Sequence, residues 1–400
     1  MKILDSYEAK GSGKADLYKA LDQLSGITGM VHVRSDSLEM ITVVKVDDNG
    51  LANCFVRKKL DKEGFLCDKN IEIIDLSGYP DELVEEVKNK NPLLLRINGE
   101  LYLTSDSIWA TLSQRAGTHV DKNTRLLHWQ ARDGRDQNYL AYLIAFPKDL
   151  VILYREENEV KKAFAAFASY GYVNQSEVIK SLVSEMEADY VGGSGIRLGE
   201  CEVAFFEVNN MHTKCLFEFP EKRDDFSKSY NLSETVTPGI EFYTSDVGES
   251  SVFVRGFFKV GKHERLFPEG YQIAPKKHTK NCSAKGVIDE CVRKIFSEYA
   301  IMPEKMVAMV SEDILTPYVT MEKVLSKIGF MSIFGKKKYE DMRNKMQAAI
   351  GQTPCTAYDI FSVLLDFSDE VSEKYSENSK TIRQVQEAVM KVPFLDWGAL

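Results

Sequence analysis

Residues 239–258 alternate between aromatic or β-branched side chains and polar ones on either side of a short polar break. This period-two pattern predicts two strands, because successive side chains of a strand point to opposite faces of a sheet. Gly248 lies in the break and can adopt the positive φ of a tight connection. Ser245, Asp246 and Glu249 beside it either shape the turn or meet a ligand. The stretch predicts a β-hairpin, which favours a fold built on antiparallel strands.

The hydrophobic period becomes helical after about residue 286. Before that point, strands are predicted over 30–46, 51–59, 91–104, 139–146, 150–154, 196–208 and 213–219. Helices are predicted there over 15–24, 80–90, 105–117, 158–169 and 175–187. After it, amphipathic helices are predicted over 287–299, 303–312, 319–328, 337–350, 356–376 and 380–391. Turns are expected at 47–50 and at Asn98-Gly99, because Asn-Gly is the strongest short hairpin signal.

These elements predict an α+β protein. A mainly antiparallel central sheet should carry helices on one face, flanked by a small N-terminal α/β region and a C-terminal helical lobe. The expected domain boundaries are 1–98 for the N-terminal region, 99–285 for the central domain and 286–400 for the helical lobe.

Composition excludes several classes of protein. The 400 residues are 44% hydrophobic and 28% charged, as in globular proteins with a sizeable core. No apolar run approaches the roughly 18 residues that span a bilayer, and the first residues lack the apolar region of a secretory signal. The seven cysteines are scattered without a CxxC pair, which indicates reduced thiols. We therefore expect a cytoplasmic protein with no membrane partner.

The charge is unevenly distributed along the chain. The net charge is −9, yet residues 253–285 carry +6 and residues 115–135 carry +3, which leaves −18 on the remainder. A basic centre in an acidic chain indicates either a polyanion-binding surface or a solvated face that balances acidic neighbours.

The basic stretches supply the candidate nucleic-acid contacts. Arginine forks and lysine ammonium groups bind phosphates, and an aromatic ring can stack on a base. The candidate residues are Arg115, Arg125, Trp129, Arg132, Arg255, Lys259, Lys262, Arg265, Tyr271, Lys276, Lys277 and Lys280. The alternative is that Trp129 anchors a core and the arginines are solvated.

Catalytic motifs are weak or incomplete. The KGSGK sequence at 10–14 lacks the first glycine and the hydroxyl residue of a phosphate-binding loop. The GGSG sequence at 192–195 precedes Glu200 and Glu202, which alternate onto one strand face as metal-binding carboxylates would. Nucleotidyltransferase chemistry usually takes aspartates at such positions, so a mobile loop leading into a strand is the alternative.

A zinc site could be assembled from one central segment. Its ligands would be His263, His278, Cys282 and Cys291, but their spacings match no compact zinc motif. No Ser-His-Asp or Cys-His arrangement can be argued from chain order. The sequence therefore predicts no catalytic residue, no cofactor and no metal ion. It favours a protein that is not an enzyme.

Four segments, in this order, resemble a family of phage- and plasmid-encoded proteins of unknown function. They are the helix at 103–117, the strand, linker and helix at 154–186, PGIEFYTSDVGESSVFVRGFFKV at 238–260 and the helix at 356–376. Together they extend over roughly residues 103–376. Thr244-Ser245-Asp246 replaces an Asn-Ser-Glu pattern typical of the family, and residues 267–270 differ as well. The resemblance implies no catalytic residues.

The resemblance and the basic segment together favour a non-catalytic phage or mobile-element protein that binds single-stranded DNA in a bacterial host. The first alternative is a protein-interaction role, such as inhibition of a host defence complex. The second is a metal-dependent, nucleotidyltransferase-like enzyme that uses Glu200 and Glu202. The sequence specifies neither substrate nor oligomeric state.

Overall fold

The α+β class is confirmed, and the described strands form one sheet of eight strands, one of five and a separate pair. The computed structural model describes residues 7–57, 70–79, 81–90, 93–116, 143–168, 175–187, 199–221, 235–245, 247, 253–263, 265–267, 301–374 and 380–400. Within these ranges, no helix combines the length and the apolar character needed to cross a bilayer.

The strands and helices follow one another in two series. The first comprises β1 (Glu8–Gly11), α1 (Lys14–Ile27), β2 (Thr28–Arg34), β3 (Glu39–Val46), β4 (Leu51–Arg57), β5 (Asn70–Asp75), α2 (Asp81–Lys90), β6 (Leu93–Ile97), β7 (Glu100–Thr104), α3 (Asp106–Ala116), β8 (Asp149–Glu157), β9 (Val160–Phe167) and α4 (Gln175–Met186). The second comprises β10 (Glu202–Asn209), β11 (Thr213–Glu218), β12 (Val236–Thr244), β13 (Phe253–Val260), α5 (Ile301–Val310), β14 (Asp313–Ile314), α6 (Pro317–Lys327), α7 (Phe330–Phe334), α8 (Lys336–Ile350), β15 (Cys355–Thr356), α9 (Ala357–Lys374) and α10 (Lys380–Val389).

Eight strands form the larger sheet, in the order β2-β8-β9-β7-β6-β3-β4-β5. All its pairs are antiparallel except β7 with β9. Both predicted turns are present: Asn98 and Gly99 have φ of 52° and 87°, as a two-residue hairpin requires. Helix α2 packs with Ile41 and Leu94 on one face, and α3 packs with Met40 and Leu95 on the other.

The predicted boundary at residue 98 falls in the turn between β6 and β7. Strands from both sides of it join the same sheet, because β2 pairs with β8 and β7 pairs with β9. The N-terminal strands therefore share hydrogen bonds and a hydrophobic core with strands of the predicted central region.

Five antiparallel strands form the smaller sheet, in the order β1-β10-β11-β12-β13. The predicted hairpin at 239–258 is confirmed as β12 and β13, with Tyr243 opposite Phe253. One face packs against α1, α4 and the C-terminal helices in a single large core that contains Leu17, Ile179, Phe258 and Phe361. We call the opposite face, which has no helix among the described residues, the outer face.

Two predicted elements are wrong. The helix expected over 158–169 is the strand β9, although Ala163, Ala165 and Ala166 are good helix formers. Its small side chains let α3 approach closely, and Ser107 Oγ of α3 donates a 2.6 Å hydrogen bond to the Phe164 carbonyl. The described end of the strand expected over 139–146 is helical at 143–145. In β9, strand pairing and packing against α3 override the local helix propensity.

The helical period after residue 286 is confirmed in the described C-terminal residues. Pro317 occupies the first turn of α6, where its missing N–H costs nothing. Gly335, with φ of 74°, separates α7 from α8. Helices α9 and α10 bury Phe361, Leu364 and Val385 in the large core. The C-terminal lobe and the smaller sheet thus share one interior.

Candidate nucleic-acid interface

Strand β13 lies in the predicted basic segment, and its alternate side chains point to two different environments. Val254, Phe258 and Val260 point into the large core. The alternate residues, which include Arg255 and Lys259, therefore lie on the outer face. This placement brings part of the predicted interface to one surface of the smaller sheet.

Arg255 is held in place by an acidic and an aromatic partner. Its Nε donates a hydrogen bond to Glu241 Oε2 on the neighbouring strand β12. Its guanidinium carbon lies 3.4 Å from the ring centroid of Phe267. Lys214 Nζ, on β11, lies 3.7 Å from the other Glu241 oxygen. Because Glu241 is only 5% exposed, its charge is neutralised by these two cations rather than by water.

Arg265 is matched in the same way. Its Nη2 donates a 2.9 Å hydrogen bond to Glu218 Oε1, and its guanidinium lies 5.5 Å from the Phe257 ring centroid. Phe257 can lie flat here because Gly239 has no side chain: a Cβ at that position would be 2.2 Å from Phe257 Cζ. The outer face is therefore filled by arginines, glutamates and the apolar cluster around Phe257 and Phe267.

Lys259 and Lys262 differ from these arginines. Neither forms an ion pair with any residue that the structure describes. Arg115 lies elsewhere, in the last turn of α3 on the larger sheet, and its carbonyl accepts a 2.5 Å hydrogen bond from Lys148 Nζ. The remaining predicted contacts lie outside the described residues: Arg125, Trp129, Arg132, Tyr271, Lys276, Lys277 and Lys280.

A second basic region lies in the C-terminal helices, and the sequence prediction missed it. Residues 323–345 contain seven basic and two acidic residues, a net charge of +5. Helices α6, α7 and α8 enclose a groove of about 490 Å³, which we call the lysine groove. Its lining residues are Val319, Glu322, Lys323, Ser326, Lys327, Met331, Lys336, Tyr339, Glu340 and Arg343.

The start of α8 makes the lysine groove more electropositive. Gly335 precedes the helix and offers no side-chain cap, and the first turn contains no acidic residue. Lys336, Lys337 and Lys338 occupy that turn and are exposed. A helix N-terminus carries a partial positive charge, so three cations there are unfavourable without an anion. The sequence signal was available as a glycine followed by three lysines.

Few of the groove's cations have acidic partners. Arg343 Nη1 lies 3.2 Å from Glu322 Oε1, and Lys323 donates to the backbone oxygen of Leu400. Lys327 and Lys336 form no ion pair with a described residue. Val319 and Met331, respectively 52% and 50% exposed, add apolar surface to the lining. The groove thus combines two ammonium groups that form no ion pair within the described part of the chain with exposed apolar side chains.

The two carboxylates of the nucleotidyltransferase-like alternative, Glu200 and Glu202, have separate partners. Glu200 lies 3.5 Å from Lys14 Nζ, and Glu202 stands opposite Glu218 in the smaller sheet. Within the described ranges, neither belongs to a group of three possible metal ligands. The GGSG sequence before them lies outside those ranges.

The described cysteines are structural. All four are free thiols, and burial raises the pKa of Cys201 to about 12 and that of Cys54 to about 11. A thiol with such a pKa is almost wholly protonated at neutral pH, which disfavours a role as a nucleophile or a redox sensor.

The chain matches no protein-family model, and no curated protein or solved structure is significantly similar to it. The similarity to phage- and plasmid-encoded proteins therefore stays a prediction.

Proposed function

We propose that this protein is a non-catalytic, phage- or mobile-element-encoded protein that binds single-stranded DNA in the cytoplasm of a bacterial host. The lysine groove is the observation that supports the proposal. Lys259 and Lys262 are further phosphate contacts. Arg255 and Arg265 contribute less to phosphate binding, because glutamates already bind their guanidinium groups.

A single strand suits the groove better than a duplex. Single strands expose their bases, which need apolar surface, while their phosphates need cations. Val319 and Met331 provide the apolar surface, and Lys327 and Lys336 provide cations in the same groove. Duplex DNA would present only phosphates to a groove of this size.

The first experiment measures anisotropy of a labelled single-stranded oligonucleotide at two salt concentrations. If about four phosphates are contacted, raising salt from about 50 mM to about 200 mM should weaken binding roughly 50-fold. Changing Lys336, Lys337 and Lys338 together to Gln should lower the slope of log K against log salt by about 2.

A matched control removes the same charge from other exposed positions, Lys45, Lys305 and Lys374. That variant should retain most of the affinity. An equal loss of oligonucleotide affinity in the two triple variants would show that binding depends on net charge alone. Wild-type affinity that does not change with salt concentration would contradict the proposal.

The edge of the larger sheet favours the alternative function, binding of a host protein. Among the described strands, β5 lies at the edge of the larger sheet, and its Ile71 and Ile73 are 67% and 69% exposed. The backbone of an edge strand together with exposed isoleucines can accept a strand from a partner. A stoichiometric partner recovered from bacterial lysate should be lost with Ile73→Lys and kept with Leu315→Lys, a change at another exposed apolar residue.

A further inference from the structure

One histidine and two aspartates meet where the smaller sheet contacts the C-terminal helices. His263 follows β13 in a tight turn, and Asp366 and Asp369 lie one turn apart on α9. His263 Nδ1 lies 2.7 Å from Asp369 Oδ2 and 3.9 Å from Asp366 Oδ1. One ligand atom from each of the three residues lies within 4.8 Å of the other two.

We propose that these three residues form a binding site for a divalent transition-metal ion of the Zn²⁺ type. Ligand atoms that share a metal at about 2.0–2.2 Å lie roughly 3.0–3.5 Å from one another. The two distances at His263 Nδ1 fall on either side of that interval. Shifts of less than about 1 Å would therefore bring all three atoms into one coordination sphere.

The donor set indicates the class of ion. An imidazole nitrogen with two carboxylate oxygens suits Zn²⁺ and its first-row neighbours, whereas Ca²⁺ and Mg²⁺ prefer oxygen alone. Two carboxylates supply the negative charge that a dication needs. His263 is 2% exposed, and α9 presents both aspartates to it, so the imidazole is fixed in orientation before the ion arrives.

A plain ion pair explains only part of the arrangement. It accounts for Asp369, which contacts the imidazole directly. It does not account for Asp366, whose oxygen faces the same nitrogen although its side chain is 61% exposed. Three protein ligands leave a fourth coordination position, and the exposure of Asp366 gives water access to it. A bound ion would link the turn after β13 to α9.

The test is competition for Zn²⁺ between chelator-treated protein and a chromogenic chelator. Wild-type protein should bind one equivalent through this site, and Asp366→Asn should weaken that binding roughly tenfold or more. Because Asp366 is exposed, this variant should fold even if changes at the buried His263 do not. Glu373→Gln, an exposed position on the same helix, should bind like wild type.

Two further readouts separate this site from adventitious binding at cysteines. Co²⁺ should give visible absorption bands in wild-type protein that Asp366→Asn and Asp369→Asn alter and Glu373→Gln does not. Zn²⁺ should raise the melting temperature of wild type more than that of Asp366→Asn. Absence of Zn²⁺ binding, or equal binding by wild type and Asp366→Asn, would overturn the proposal.

Discussion

The outer face and the lysine groove are both rich in basic residues, but they differ in how many of their cations are paired with a carboxylate. On the outer face, Glu241 and Glu218 hold Arg255 and Arg265 over phenylalanine rings. In the groove, Lys327 and Lys336 have no acidic partner among the described residues. Positive charge in a sequence therefore does not measure positive charge available to a ligand. A cation that neutralises a buried carboxylate stabilises the fold and is less available to a ligand.

The largest expected effect comes from removing the acid of the outer face. Glu241→Gln leaves Arg255 and Lys214 without their shared counter-charge in a half-buried setting. We expect a loss of roughly 3 kcal/mol in the free energy of unfolding, as when one partner of a buried pair is removed. Urea denaturation measures this loss.

The same variant tests the comparison through DNA binding. If the outer face serves only the fold, oligonucleotide affinity of the folded Glu241→Gln protein should match wild type. A clear gain in affinity would show that Arg255, once released, contacts phosphate.

The next effect concerns the aromatic packing of the outer face. Gly239→Ala would place a Cβ 2.2 Å from Phe257 Cζ and 2.5 Å from the Phe217 carbonyl oxygen. We expect a loss of about 1–3 kcal/mol, typical of overpacking. Gly26→Ala in α1 is the matched control, because its Cβ meets nothing within 4 Å, and it should stabilise by about 0.5–1 kcal/mol. Thermal unfolding of both variants measures these changes in stability, and similar melting temperatures would contradict the close packing.

A smaller effect of opposite sign is expected in the groove. Lys337→Glu replaces a cation at the positive end of α8 by an anion, which should stabilise the protein by about 0.5 kcal/mol. The same change should weaken DNA binding. Lys374→Glu, in the last turn of α9, should instead destabilise slightly, because cations are favourable at a helix C-terminus. Greater stability together with weaker binding would show that the lysines are kept for a ligand.

The smallest effect on stability is expected for the double variant Lys259→Gln and Lys262→Gln. Surface changes of this kind usually alter the free energy of unfolding by less than about 0.5 kcal/mol. The salt slope for oligonucleotide binding should fall by about 1.4 if both lysines contact phosphates. An unchanged slope would show that Lys259 and Lys262 do not contact phosphates and that the interface is limited to the lysine groove.

Local signals predicted the turns and hairpins well. Asn98-Gly99 and the alternation of 239–258 specify strand pairs that need only neighbouring residues to form, and both are present. The alanines of β9 are good helix formers, whereas its β structure depends on pairing with β7 and β8. The candidate contacts follow from charge and aromatic character in the sequence, and neither property reveals the glutamates that hold Arg255 and Arg265.

The α+β class, the helices of the described residues from 301 onward and the excess of acid over base follow from local periodicity and composition. Which cations remain available and which side chains could share a metal ion follow from tertiary contacts. Glu241 meets Arg255 through strand pairing, and His263 meets Asp369 across 106 residues of chain. Such contacts depend on how distant elements pack, and no local pattern encodes them.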